Sequence, residues 1–185
     1  MQNEKYLKKT AELYDKISSI HHDKYQLWVE QALFTWQWWL SVLLTVLPWV
    51  LWIIFRRKES AFRVLLSGFF VTIISSWLDF IGISLGTWHY NYDVLPLLPS
   101  FSPWDFSTLP VLAMFMIQIK PKVNPFLKGA LYGVISAFIG EPFFSWLDLY
   151  TPEQWKPYYS FPVFVAIYLG AHWLSERKGF EKVAE

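Results

Sequence analysis

From Gln31 to Phe55 the chain carries no Asp, Glu, Lys or Arg, and the run then stops abruptly at Arg56-Arg57-Lys58. An uncharged stretch of that length is long enough to cross the roughly 30 Å hydrocarbon layer of a bilayer as a helix. Composition agrees. Hydrophobic residues make up 54% of the 185 residues and charged ones 17%, whereas a soluble domain uses about 25% charge. The expected fold is therefore all-α, a polytopic membrane helix bundle.

Five transmembrane helices are expected. The first runs from about Leu33 to Phe55, opens with Trp36, Trp38 and Trp39 at the interface, and has Pro48 in mid-segment. The second extends from about Ala61 to Trp88; its second half turns to small and polar residues, Ser75, Ser76, Asp79, Gly82, Ser84 and Gly86, suited to a helix contact or a cavity. The third covers about Pro103 to Ile119, the fourth Phe126 to Leu149 and the fifth Trp155 to Leu174. Residues 1–30 precede this bundle (31–176) as an amphipathic N-terminal helix. Its lysines are matched by acids, so it is expected to pack on its own protein or lie at the interface. Residues 89–105 hold three prolines and many aromatics without Lys or Arg, as expected of a cap over the bundle, and 177–185 form a tail.

Ten of the sixteen Lys and Arg fall after segments one and three and in the tail. By the positive-inside rule that side is cytoplasmic, which places the C-terminus inside and the N-terminus outside. The five lysines of the first thirty residues are discordant, although acidic neighbours accompany them. A net charge of +1 leaves no basic face for nucleic acid. Without cysteine there are no disulfides, thiolate nucleophiles or thiolate metal ligands.

Two carboxylates stand where lipid penalises them. Asp79 precedes Trp88 by nine residues and Glu141 precedes Tyr150 by nine, so each lies about 13 Å below the same outer face. Such acids are costly unless they face other helices, find donors or stay protonated. Asp79 and Glu141, with His89 as a relay, are the candidate catalytic groups. Trp77, Trp88, Tyr90, Trp146, Asp148, Tyr150, Tyr158 and Tyr159 are the candidate ligand-binding residues. Asp105 and Asp148 also fit the role of interfacial caps. The spacing of Asp79, His89 and Glu141 follows no metal signature, and neither a metal nor a cofactor is expected.

The arrangement Asp79-Phe-Ile-Gly82, Gly86-Thr-Trp88-His-Tyr90, Pro96, Pro99, Asp105, Glu141-Pro142, Trp146, Tyr150, Trp155 and Ser160-Phe-Pro162 resembles a family of small multi-pass membrane proteins found mainly in spore-forming, Gram-positive bacteria. The resemblance covers most of residues 35 to 175. It implies a bacterial plasma-membrane protein and carries no catalytic residues over. A looser likeness is to integral membrane terpenoid and carotenoid cyclases, which use acidic side chains to protonate olefins.

Two functions follow from these residues, with a third behind them. The first is binding of a membrane lipid or small apolar ligand in an acidic, aromatic-lined cavity of the outer leaflet. The alternative is a membrane-embedded enzyme acting on a prenyl, terpenoid or lipid substrate, with a carboxyl as general acid and aromatic rings facing developing positive charge. A small transporter is the third, disfavoured by the apolar inner half of segment two, Val64 to Thr72.

Overall fold

A computed structural model describes residues 2–98 and 100–177. Pro99 and the tail beyond Arg177, with Lys178 and Lys182, lie outside the described residues. Six continuous helical stretches make up almost all of the described fold. Helix α1, Gln2–Leu27, runs on through a π turn at Trp28–Ala32. Helix α2 is Trp36–Phe55 and α3 is Ala61–Ser84. A π turn at Trp104–Thr108 leads into α4, Leu109–Gln118. Helix α5, Pro125–Val134, continues through a π stretch at Ile135–Gly140 into α6, Glu141–Trp146. Helix α7 is Pro157–Ser175.

Local chemistry sets the ends. Phe34 turns the chain with φ +63, and Thr35 then caps α2 by accepting from the Trp38 amide at 3.3 Å while its hydroxyl donates to the Ala32 carbonyl at 2.7 Å. Gly86, with φ +68, ends α3 in the left-handed region that glycine adopts without strain. The Thr87 hydroxyl bonds the Gly82 carbonyl freed there, at 2.8 Å. Asn124 caps α5 ahead of Pro125 by accepting from the Phe126 amide at 2.8 Å. Pro142 lacks an amide hydrogen, and the helix before it widens into the π stretch rather than breaking.

The chain runs back and forth between two ends. At one, the Arg57 amide donates to the Gln118 side chain at 3.0 Å, Arg63 to the Ser175 carbonyl at 3.1 Å, and Lys128 to the Met116 and Ile119 carbonyls at 2.7 Å each. Lysines and arginines therefore gather where α2, α4 and α7 finish and α3 and α5 begin. The opposite end is aromatic. There a two-stranded antiparallel ladder pairs β1, Trp88–Tyr90, with β2, Tyr150–Pro152, in the register Trp88↔Pro152, His89↔Thr151, Tyr90↔Tyr150. The loop after β1 folds over this end. Trp28 Nε1 donates to the Asp93 carbonyl at 2.7 Å, Trp38 Nε1 to the Val94 carbonyl at 3.3 Å, and Lys24 Nζ pairs with Asp93 Oδ2 at 2.9 Å. Burial pushes the Asp93 carboxyl above the usual aspartate range, and the Lys24 ammonium draws it partly back.

Helices α2 and α3 are long and apolar enough to cross a membrane. Of their most apolar windows, 11% and 33% are buried, unlike the core helix of a soluble domain. Leu43, Val46, Val50, Ile53, Ile54 and Phe55 of α2 all face outward. Apolar surface of that extent is what a lipid environment covers, and the fold has membrane character. The buried stripe of α3 instead reads Val64, Ser67, Gly68, Val71, Ser75, Asp79 and Gly82, small residues that let α4 and α7 approach.

Of the two positions expected for the N-terminal helix, on its own protein or at the interface, the structure does not show the first: residues 3–9 and 11–27 are exposed, and its described attachment is through Lys24 and the adjoining π turn. Its lysines are balanced by its own acids, so beyond Lys24 the bundle has no need to neutralise them.

Candidate acid site

The ladder determines what reaches Asp79. Side chains alternate along a strand, so Trp88 and Tyr90 point the same way and His89 points the other. Trp88 Nε1 and Tyr90 Oη both donate to Asp79 Oδ1, at 3.1 and 3.0 Å, and the Phe101 amide donates to Oδ2 at 3.3 Å. Gly82, one turn beyond Asp79, makes room for the indole. A Cβ there would fall 2.1 Å from the Trp88 ring. That ring is held on another side by Trp155, with centroids 5.1 Å apart. Gly82→Ala is therefore expected to cost about 1–3 kcal/mol and to free the indole from Asp79. Thermal melts with tryptophan fluorescence test this, and an unchanged melt and spectrum would contradict it.

A second carboxyl meets the first. The π turn at Trp104–Thr108 holds Asp105, 1% exposed, beside the Asp79 carboxyl and Ser75. Ionised carboxylates only accept hydrogen bonds and repel one another, so two buried side by side favour a proton on one of them. Asp79 already accepts from three donors, which suits the ionised partner and leaves Asp105 to hold the proton. Asp105 Oδ2 has no hydrogen-bond partner among the described residues.

Glu141, at the start of α6, is the third acid. Its carboxyl lies beside the Ser160 hydroxyl, which accepts from Trp155 Nε1 at 2.7 Å. Its Oε2 likewise has no partner among the described residues. All three carboxyls line a cavity of about 190 Å³ whose walls are otherwise mostly apolar, with Leu109, Phe144, Phe164 and Ile167 among them. Leu78, Ile81 and Leu85 complete the α3 side and are also exposed on the outer surface, so the cavity reaches the face that lipid would cover. Among the described residues, no Lys or Arg lines it. The aromatic walls interlock: Tyr90 stacks on Phe101 with centroids 4.4 Å apart, and Trp104 meets Phe144 edge-on at 4.8 Å.

Of the residues singled out from sequence, Asp79, Glu141, Trp88, Tyr90 and Tyr150 come together on this cavity. The others stand elsewhere. His89 faces away, with Nδ1 3.4 Å from Glu153. Trp77 is 62% exposed beside Phe80 and Trp146 is 76% exposed. Tyr158 and Tyr159 touch each other on the surface. Asp148 occupies an exposed left-handed turn, φ +58, where its carbonyl accepts from Asn91 Nδ2 at 2.8 Å. Asp105 is no interfacial cap, because the π turn aims it into the bundle. Its sequence signal was available: an acid at the head of an apolar run with no basic residue nearby.

The fold and its buried site together describe a helical protein of membrane character with an acid pair inside an aromatic, otherwise apolar chamber. Compared with known protein families, curated proteins and solved structures, the chain finds no match among any of the three.

Proposed function

We propose that this chain is a multi-pass enzyme of the bacterial plasma membrane that moves a proton onto and off a neutral prenyl or lipid chain. The observation that carries the reading is Asp105, set against Asp79, with an oxygen unpartnered among the described residues, in a chamber that no described basic side chain lines. Phosphate or diphosphate groups would meet three acids and no cation there, which favours an uncharged substrate.

The pair's proton adds to a carbon–carbon double bond. The π electrons form the new C–H bond, the adjacent carbon becomes cationic, and the pair becomes fully ionised. Trp88, Tyr90 and Trp104 line the chamber, and their electron-rich rings stabilise that cation. A neighbouring C–H bond then gives its electrons back to carbon and its proton to Glu141, re-forming a double bond. The net change is isomerisation, or ring closure where the π electrons of a second double bond first attack the cation and pass the charge on, with no oxidant or reductant. Glu141, partly exposed, returns its proton to water, and a solvent proton restores the pair.

Five crossings, with the C-terminus cytoplasmic and the N-terminus outside, accord with the gathering of Arg56, Arg57, Arg63, Lys120, Lys122 and Lys128 at one end. The chamber then lies toward the outer leaflet. Substrate reaches it from lipid past Leu78, Ile81 and Leu85.

Non-catalytic binding of an apolar ligand is the second reading, supported by the small volume and apolar walls of the chamber. Purified protein in liposomes, supplied separately with geranylgeraniol, squalene and geranylgeranyl diphosphate, separates the two. The proposal expects a mass-neutral rearrangement of a neutral probe and none of the diphosphate. Tight retention of a neutral probe, recovered unchanged, would establish the binding reading instead.

A further inference from the structure

The exposed face of α1 repeats every seven residues. Tyr6, Leu13, Ile20 and Leu27 occupy one position of a heptad, and Thr10, Ile17 and Lys24 the other inward position. An exact seven-residue spacing is the signature of helices that wrap on one another. None of the four apolar residues is covered by the bundle. Helix α1 carries five lysines against Glu4, Glu12, Asp15 and Asp23, so it has little net attraction for an anionic lipid surface.

The flanking charges choose the occupant. The positions beside the stripe read Lys9, Lys16 and Asp23, so the edge is basic toward its start and acidic toward its end. In an antiparallel pair of identical helices each half of this edge meets the opposite half. With Ile17 against the second copy's Ile20, Lys16 falls opposite Asp23, a pair that occurs twice. A parallel pair would place Lys16 beside His21, with no compensating acid. We infer that α1 is a dimerisation arm that pairs antiparallel with α1 of a second copy of this chain. A two-fold axis perpendicular to both arms relates the two copies.

Because the chain has no cysteine, introduced thiols report cleanly. Two thiols seven residues apart on one helix are separated by about 10 Å, too far to bridge within a chain. The full-length Lys16→Cys/Asp23→Cys variant in nanodiscs holding two chains is therefore expected to oxidise to a covalent dimer at least about tenfold faster than either single variant. Lys16→Glu should raise the dimer dissociation constant about tenfold, and Lys16→Glu/Asp23→Lys should restore it. Rapid crosslinking of Leu13→Cys alone would show a parallel pair and overturn the inference. Absence of crosslinks, with a fluorophore at position 17 quenched by lipid-borne quenchers, would place the arm on the bilayer and overturn it as well. Melting curves unchanged in the bundle exclude misfolding as the cause of either result.

Discussion

Asp79→Ala is expected to destabilise the folded protein by about 3–5 kcal/mol. Three donors converge on that carboxyl: the Trp88 indole, the Tyr90 hydroxyl and the Phe101 amide. Leaving one buried donor unpaired costs about 1–3 kcal/mol, and water admitted to the enlarged chamber recovers part of the sum. Asp105 loses its acceptor at the same time. Asp79→Asn keeps a carbonyl for two donors and is expected to cost about half as much. It also offers an amide donor to Asp105, which removes the reason for a proton there. Thermal and chemical unfolding in detergent would measure both, and an Asp79→Ala protein as stable as the parent would refute this role for the acid.

The second large effect is on turnover and separates two acids on one chamber. Asp105→Asn has nearly the same shape but no acidic proton, so proton addition is expected to fall about 10²–10⁴-fold with little loss of stability. Glu141→Gln leaves the Asp79–Asp105 pair intact. Proton addition should continue while proton removal fails, so the cation is trapped by water and an alcohol accumulates in place of the rearranged olefin. Product analysis by mass spectrometry distinguishes the two variants. Undiminished turnover by Asp105→Asn would remove the pair from the reaction.

Much of the frame was legible in the residues, and the reasons are specific. The absence of charge before Arg56 and the Trp36 cluster bracketed α2 to within a few residues. Segment three was expected from Pro103 to Ile119 and is helical from Trp104 to Gln118. The second segment was drawn too long, to Trp88, because its apolar character continues past Gly86, where the backbone turns and the ladder begins. Strands of three residues carry almost no periodic signal, and this pair exists because Trp88 and Tyr90 are tied to Asp79. That tie also explains His89: it was close in sequence to the acid and on the wrong side of a strand. Aromatic identity does not separate a membrane belt from a cavity wall, so Trp77 and Trp146 were grouped with Trp88. Asp105 reads as an interfacial cap because it stands at the head of segment three, whereas the π turn there aims it inward.

The most direct test of proton transfer by the Asp79–Asp105 pair is deuterium uptake in D₂O. Proteoliposomes containing bacterial membrane lipids would be incubated in D₂O, and the recovered lipids analysed for deuterium at carbon after exchangeable positions have been washed back. Deuterium in one unsaturated, uncharged lipid, present with the parent protein and lost with Asp105→Asn, is the expected result. Lipids free of carbon-bound deuterium, or equally labelled with and without the Asp105 carboxyl, would contradict it.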